Sequence, residues 1–139
     1  MENKGISILT SESEGYRVLM DFEAWRIGYM RHERAYTAEH LTRFQRHDVC
    51  DEAFVLLAGH CCLLVGSGAD TVGRIEGVEM EPMKVYNIHR GVWHSHLVDE
   101  GAAVLVVENS NVSLDNSPLV ELNEAQRREI AAIAQARGK

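Results

Sequence analysis

Residues 45–59 read QRHDVCDEAFVLLAG and residues 91–96 read GVWHSH, and these two stretches decide the fold. The first places His47 shortly before Glu52, which opens an apolar run that ends at a glycine. The second places His94 and His96 two residues apart, a spacing that turns both side chains of a β-strand toward one face. Together they predict strands that carry ligand-type side chains on an otherwise apolar background.

Short apolar runs separated by turn signals extend on both sides of these stretches. Alternating or β-rich runs predict strands over residues 15–22, 24–31, 53–57, 61–65, 84–88, 92–98 and 103–107. The tight connection at Ala58-Gly59 predicts that 53–57 and 61–65 form a hairpin. Residues 37–46 are expected to form a loop, and the glycine-rich residues 66–77 to bend repeatedly. The absence of helical patterns between strands favours an antiparallel barrel or sandwich.

A C-terminal helix is predicted over residues 123–137. Asn123 can cap it, and Gln126, three positions later, can reach back to complete a capping box. Its narrow apolar stripe consists of Ile130, Ile133 and Ala134. The stripe predicts that the helix packs on the outside of the strands or across a subunit contact.

Composition and charge exclude several classes of protein. The chain has 14 Lys and Arg against 21 Asp and Glu, a formal net charge of -7, and its basic residues are scattered, so no nucleic-acid partner is expected. The first twenty residues contain acidic residues and no apolar signal core, and no run approaches the roughly 20 apolar residues of a membrane span. We therefore expect one cytoplasmic domain over residues 1–139, without a membrane partner.

The cysteines do not form a disulfide pattern, because three is an odd count. Cys61 and Cys62 are adjacent, and on a strand their side chains point to opposite faces. We expect both to be buried free thiols that pack as small apolar groups. Cys50 is expected to be an incidental thiol in a turn.

Three separated residues form a candidate metal site. If residues 47–57 and 92–98 face each other inside a barrel, then His47, Glu52 and His94 meet. Two imidazoles and one carboxylate are the ligands of a facial-triad site, which leaves positions open on Fe and also suits Mn, Ni or Zn. The alternative is a hydrogen-bonded polar cluster without a metal, because buried polar groups need partners.

The same residues resemble the two sequence motifs of the cupin superfamily. In the first motif, four residues separate His47 from Glu52, and six more separate Glu52 from Gly59. In the second motif, two residues separate Gly91 from His94. The resemblance spans residues 45–98 and implies an all-β fold, a jelly-roll-like, cupin-type antiparallel β-barrel that here ends in the C-terminal α-helix.

The resemblance also implies that His47, Glu52 and His94 bind a divalent metal ion. The sequence departs from the motifs at Gln45, where the first metal-binding histidine of cupins is expected. Either Gln45, as a weak oxygen ligand, or His96, on the same strand face as His94, is the predicted fourth ligand. In the second motif the departures are Met83, His89 and Val98.

Other side chains are assigned to the pocket by strand phase. Phe54 and Leu56 are in phase with Glu52 and are candidates for its apolar wall. Trp93 points away from His94 and is expected in a core or a subunit interface. Three further residues line the pocket only if their strands have the right register, which the sequence leaves open: Tyr29, Arg31 and Glu108.

Two functions follow from this site. The first is a metal-dependent isomerase, lyase or dioxygenase, activities found among similar cupins, acting on a small polar acid or a sugar-like molecule. In that enzyme Glu52, His96 or a bound water moves the proton. The second is a non-catalytic module that binds or senses a small ligand, with or without a metal, because fold alone does not set function.

The assembly is expected to be a homodimer. Similar cupins are commonly homodimers, which is what the resemblance implies. Trp93 and Leu97 lie on the strand face opposite His94 and His96, and that face needs an apolar cover. We therefore expect a partner subunit to pack there, sheet against sheet.

Overall fold

The computed structural model describes residues 2–3 and 5–138, and its regular structure is almost entirely β. The strands are β1 (Glu2–Asn3), β2 (Ile6–Ser7), β3 (Gly15–Phe22), β4 (Trp25–Arg31), β5 (Arg43–Gln45), β6 (Glu52–Ala58), β7 (Cys61–Gly66), β8 (Ile75–Glu79), β9 (Tyr86–Ile88), β10 (Trp93–Val98), β11 (Ala103–Asn109) and β12 (Leu119–Glu121). One α-helix, α1 (Glu124–Ala136), follows them. No helix in the described part of the chain has the length and apolar character needed to cross a membrane.

Two five-stranded antiparallel sheets form the body of the molecule. The first sheet has the strand order β3-β4-β11-β6-β9, and the second has the order β12-β5-β10-β7-β8. Their facing sides meet in a core that includes Met30, Phe54, Leu63, Val98 and Val104. The predicted all-β, jelly-roll-like fold is confirmed, with the difference that the sheets form a sandwich and do not close into a barrel.

The predicted hairpin between β6 and β7 is wrong. β6 pairs with β11 and β9 in the first sheet, whereas β7 pairs with β10 and β8 in the second. The connection between them crosses from one sheet to the other at Gly59, whose φ is 73°. A Cβ there would lie 2.7 Å from the Cα of Ala102, so the crossing needs a residue without a side chain.

Besides the short N-terminal pair β1 and β2, three strands of the two large sheets lie where the sequence predicted none. β5 lies within the expected loop at residues 37–46, β8 begins in the glycine-rich stretch, and β12 precedes the helix. β5 and β12 have three residues each, too few to show a period of two. In β8 a single residue, Ile75, is buried, so its sequence lacks alternation.

Helix α1 covers the outer side of the second sheet and closes a second core. Its predicted capping box is present, with the Asn123 side chain accepting from the Gln126 N–H at 2.8 Å. Ile130 is fully buried there beside Trp93 and Leu97, which are 3% and 2% exposed. The expectation that Trp93 and Leu97 need a partner subunit is therefore wrong, because this chain's own helix covers them.

Cys61 and Cys62 confirm their predicted placement. Both are free and buried, and they lie in different cores, Cys61 between the two sheets and Cys62 under the helix.

Candidate metal centre

The structure brings His47, Glu52 and His94 together. The Nε2 atoms of both histidines lie 3.1 Å from the same atom, Oε1 of Glu52. The three ligand atoms lie within 4.8 Å of one another, and all three residues are buried. The site that the sequence predicted from spacing is therefore a real convergence of side chains.

Different elements supply the three residues. Glu52 is the first residue of β6, His94 is the second of β10, and His47 lies in the loop after β5. The Gly91 N–H donates to the His47 carbonyl at 2.8 Å and fixes this loop against the turn that leads into β10. Gly91 has a φ of 82°, which favours glycine. The glycine of the second motif thus holds the histidine of the first beside His94.

Hydrogen bonds fix the tautomers of both histidines. The Nδ1 of His94 lies 3.0 Å from the carbonyl oxygen of Val92, which only accepts, so this nitrogen carries a proton. The Nδ1 of His47 lies 2.8 Å from the Ser117 hydroxyl. That hydroxyl donates to Oδ1 of Asn116 at 3.3 Å and therefore accepts from His47. In both neutral rings the lone pair is consequently on Nε2.

Two nitrogen lone pairs and a carboxylate oxygen thus face one another in a buried space. Such an arrangement needs a cation between the atoms, either a proton or a metal ion. Histidines that bind metals typically donate their other ring N–H to a carbonyl or a similar acceptor, as His47 and His94 do. The donor set therefore fits a divalent metal ion.

Electrostatics keep the carboxylate ionised. Burial alone would raise the pKa of Glu52, but when the imidazoles of His47 and His94 are protonated, their Nε2–H hydrogen bonds and positive charges hold it well below its usual range. Burial alone would lower the pKa of His47, but the Glu52 carboxylate outweighs it and raises that pKa. The metal-free site therefore attracts a proton at the position where a metal would sit.

The candidates for the fourth ligand both lie in the wall of the same cavity. Gln45 pairs with His94 between β5 and β10. His96 stands edge-on to Tyr36, with ring centroids 5.3 Å apart, and is not part of the converging set. Its Nδ1 is buried and has no hydrogen-bond partner in the described residues. Burial, reinforced by the charge of His94, lowers the pKa of His96 to about 3, so this imidazole is neutral.

A cavity of about 280 Å³ opens beside the three residues. Its apolar wall consists of Met30, Phe54, Val106, Val112 and Leu114. Phe54 therefore lines the pocket as predicted, whereas Leu56 packs in the core between the sheets and does not line it. The volume lies just below the range of roughly 300–1,000 Å³ for drug-sized ligands and suits a small metabolite.

Of the three residues whose register the sequence left open, Glu108 alone lines the cavity. Arg26, which lies on the adjacent strand β4, donates to Oε2 of Glu108 through Nη2 at 2.6 Å and through Nε at 2.9 Å. The Tyr16 hydroxyl donates to the same oxygen at 3.2 Å. Tyr29 does not line the cavity, and Arg31 donates to the carbonyl of Ala102 instead.

Sequence reasoning missed Tyr16, Arg26 and Ser117. Tyr16 pairs with Met30 across β3 and β4, and a Cβ at Gly28 would overlap its ring. Arg26 precedes Gly28 by two residues and so shares its strand face. The sequence signal on β4 was the two-residue spacing of Arg26, Gly28 and the buried Met30, which puts all three on the strand face that lines the cavity. Ser117 lies in a loop and left no signal.

Comparison with known proteins supports the fold. No family model matches the sequence, and no curated protein matches it. Among solved structures, oxalate decarboxylase from Lactobacillus farciminis, in complex with formate, matches with a TM-score of 0.52 and 17% identity over 81% of this chain and 33% of that chain. A variant of Bacillus subtilis oxalate decarboxylase matches with a TM-score of 0.54 and 15% identity over 76% of this chain and 28% of that chain.

A cupin-2 domain protein from Shewanella frigidimarina is also similar, with 17% identity, a TM-score of 0.49, and coverage of 72% of this chain and 84% of that chain. This chain has the cupin fold. It spans about a third or less of the length of the oxalate decarboxylases that it matches. At these identities, the cupin likeness concerns the fold alone.

Proposed function

We propose that this cupin binds a divalent metal ion through His47, Glu52 and His94 and uses it on a small polar molecule held in the adjoining cavity. One observation carries the proposal: both histidines present their Nε2 lone pairs to the same carboxylate oxygen, at 3.1 Å each. A metal ion relieves the repulsion between these lone pairs. The ligand set suits Fe, Mn, Ni or Zn, with Gln45 or His96 as the proposed fourth ligand.

The protein supplies orientation and charge around the ion. Ser117 and the Val92 carbonyl hold the two imidazoles in the tautomer that binds metals. In the metal-free site, protonated His47 and His94 hold the pKa of Glu52 well below its usual range, so this carboxylate is already ionised when a metal ion binds. A bound divalent ion supplies Lewis acidity, which polarises a carbonyl, carboxylate or hydroxyl oxygen of the bound molecule.

In the catalytic form of the proposal, the protein is an isomerase, lyase or dioxygenase, and Glu52 or His96 moves the proton. His96 is suited to contact the bound molecule because its Nδ1 is buried, faces no protein partner in the described residues, and lies in the cavity wall. The substrate class is a small polar acid or a sugar-like molecule. The net charge of -7 argues against nucleic acid as the partner.

A non-catalytic binding or sensing module is the second candidate. Gln45 stands where the cupin motif has a histidine, and an amide oxygen is a weaker ligand, which favours a loosely held metal or none. Incubating the Mn²⁺-loaded protein with a panel of hydroxy acids and sugar acids, followed by NMR, separates the two. Conversion of any member supports the enzyme, and saturable binding without conversion supports the module.

We also propose that the protein works in the cytoplasm. Its three cysteines are free, and thiols persist where glutathione and thioredoxin keep them reduced.

The metal site is tested by replacing both histidines. Loss of a single group that hydrogen-bonds to a ligating histidine typically costs 10–100-fold in metal affinity, so His47→Ala with His94→Ala should cost more than about 100-fold. Calorimetry with Mn²⁺ and Zn²⁺ measures this. The control carries His60→Ala and His89→Ala at exposed histidines and should bind like the wild type. Unchanged metal affinity in a folded double variant would show that His47 and His94 do not bind the metal.

A further inference from the structure

A groove adjoins the cavity of the proposed metal site on the side of β5. It has a volume of about 340 Å³. Five residues line both the groove and the cavity: Tyr36, Gln45, His94, His96 and Leu114. Because the two spaces touch the same side chains, a molecule that fills the cavity can extend into the groove.

The groove lies where β5 and β10 part. β7 pairs with β10 along its whole length, from Trp93 to Val98, whereas β5 pairs with β10 only where Gln45 faces His94. Beyond His94 the second sheet is therefore open on this side. The opening begins beside a proposed metal ligand.

Two exposed leucines stand on the rim of the groove. Leu114 is 78% exposed and Leu119 is 46% exposed, and both line the groove. A single exposed leucine is ordinary on a protein surface, but an apolar rim on a concave site is typical of a ligand-binding groove. Leu114 also lines the metal cavity, so the apolar rim begins where the cavity ends.

Hydrogen bonds hold Leu114 in this position. It opens a single turn of 3₁₀ helix, Leu114–Asn116, in which Oδ1 of Asn116 accepts from the Ser113 N–H at 3.0 Å. The Asn116 carbonyl accepts from the Asp48 N–H at 3.0 Å, which fixes the turn against the loop that carries His47. The segment that orients a proposed metal ligand thus also places a leucine on the rim.

We infer that the bound molecule is an aliphatic acid, whose polar head binds the metal ion in the cavity and whose hydrocarbon chain lies in the groove against Leu114 and Leu119. The inference rests on the proposed metal site. A divalent ion attracts the carboxylate of such an acid, and the leucines remove its chain from water. A sugar-like molecule would instead place hydroxyl groups against these two side chains, which cannot form hydrogen bonds.

A chain-length series tests this class of ligand on the Mn²⁺-loaded protein by calorimetry. Glycolate, lactate, 2-hydroxybutanoate, 2-hydroxyhexanoate and 2-hydroxyoctanoate share one polar head and differ in their chains. A fully buried methylene corresponds to about fourfold in affinity, and a chain on a groove is covered on one side, so we expect about twofold or more per methylene from the four-carbon acid upward. Gluconate, a six-carbon 2-hydroxy acid with hydroxyls along its chain, should bind about tenfold or more weakly than 2-hydroxyhexanoate.

Variants at the rim tie the chain to the two leucines. Leu114→Ser with Leu119→Ser should reduce the gain to less than about 1.3-fold per methylene, because the rim loses its apolar surface. Leu114→Met with Leu119→Met keeps an apolar rim and should retain the gain. Met83→Ser with Val85→Ser is the matched control, since both residues are exposed and lie outside the cavity and the groove.

The outcomes separate this inference from the proposed function. If Mn²⁺ does not bind in the absence of any acid, the metal site fails and this inference falls with it. If Mn²⁺ binds but affinity for the acids does not rise with chain length, or gluconate binds more tightly than 2-hydroxyhexanoate, the aliphatic ligand alone is overturned. A chain-length gain that persists in the folded double serine variant also overturns the role of the leucines.

Discussion

At the scale of single residues, Ser117 orients the imidazole of His47, the proposed metal ligand. Its hydroxyl accepts from His47 Nδ1 at 2.8 Å, and Ser117 is 2% exposed. Without it, the ring is free to place its proton on Nε2, where a metal would bind.

We therefore expect Ser117→Ala to weaken Mn²⁺ binding by about 10–100-fold while the fold is retained. Ser110→Ala is the matched control, because the Ser110 hydroxyl donates to the Glu23 carbonyl at the surface. Calorimetry on both variants measures the effect. Equal affinities for the two would show that Ser117 does not orient His47.

Proton competition sets the pH dependence of the same site. The Glu52 carboxylate raises the pKa of His47 above its ordinary value of 6.5, although burial opposes this. Metal affinity should therefore begin to fall at a pH above 6.5 and continue to fall on acidification. Calorimetry between pH 8.5 and pH 5.5 tests this, and a flat affinity would count against histidine ligation.

The folding stability of the metal-free protein should depend on pH in the opposite sense to the metal affinity. A histidine whose pKa is raised by folding contributes stability that is present below its unfolded pKa and is lost as pH rises through the folded pKa. Thermal unfolding of the metal-free protein should show this His47 contribution fading as pH rises above 6.5. His47→Gln, which has no titrating ring, should lack it.

The thiols differ in reactivity because their burial differs. Burial raises the pKa of Cys61 to about 12 and that of Cys62 to about 11, so neither forms a thiolate near neutral pH. Burial raises the pKa of Cys50 as well, but this residue is only half-buried and its thiol remains within reach of a reagent. We expect one thiol per chain to react at pH 8 in the native protein and three after unfolding. Cys50→Ser should abolish the native reaction, and rapid labelling of Cys61 or Cys62 would contradict their placement.

At the scale of elements, the sequence predicted long strands well and their connections poorly. β6 and β10 were predicted because their apolar runs are long enough to be recognised, and the candidate ligands Glu52 and His94 lie near the starts of these strands. The β6–β7 hairpin failed because a short loop through a glycine looks the same whether the chain turns back or crosses between sheets. Sequence pattern reports which face is buried, and it does not report the partner strand.

The same limit explains what was found and missed at the site. His47, Glu52 and His94 lie in two local patterns, so their spacing and the resemblance to the cupin motifs identified them, and the structure brings the three together. Glu108 was a candidate whose entry into the pocket depended on register, and the pairing of β11 with β4 settled it. Tyr16 lies 92 residues away from Glu108 along the chain, a separation that no local pattern bridges.

The C-terminal helix should contribute to stability through one side chain above all. Ile130 is 0% exposed in the core beneath α1, whereas Ile133 packs at its margin and is partly buried. Ile130→Ala should destabilise the protein by about 2–5 kcal/mol, the range for large-to-small core changes. Denaturant unfolding should show a smaller loss for Ile133→Ala. Equal losses in the free energy of unfolding for the two variants would contradict the described packing of α1.

At the scale of the whole molecule, the outer side of the first sheet lacks a cover within the described residues. Met20 pairs with Ile27, and Phe22 pairs with Trp25, in the β3–β4 register. Phe22 is 58% exposed, Trp25 is 41% exposed and Met20 is 36% exposed. A contiguous apolar sheet surface of this kind marks an interaction site.

We therefore keep the prediction of a homodimer but place its interface on this outer side, since α1 already covers Trp93 and Leu97. Two copies related by a two-fold axis would stack these surfaces and bury more than about 1,000 Å² in total, the lower bound for a specific interface. Sedimentation equilibrium at micromolar concentration should give twice the chain mass of 15.6 kDa. Trp25→Glu should shift the equilibrium to monomer, because it places a charge in the apolar contact.

Val78→Glu is the control. Val78 is 40% exposed on β8 of the second sheet, so this substitution should leave the dimer intact. A wild-type mass of 15.6 kDa, or a Trp25→Glu variant that stays dimeric, would show that this surface does not pair two copies.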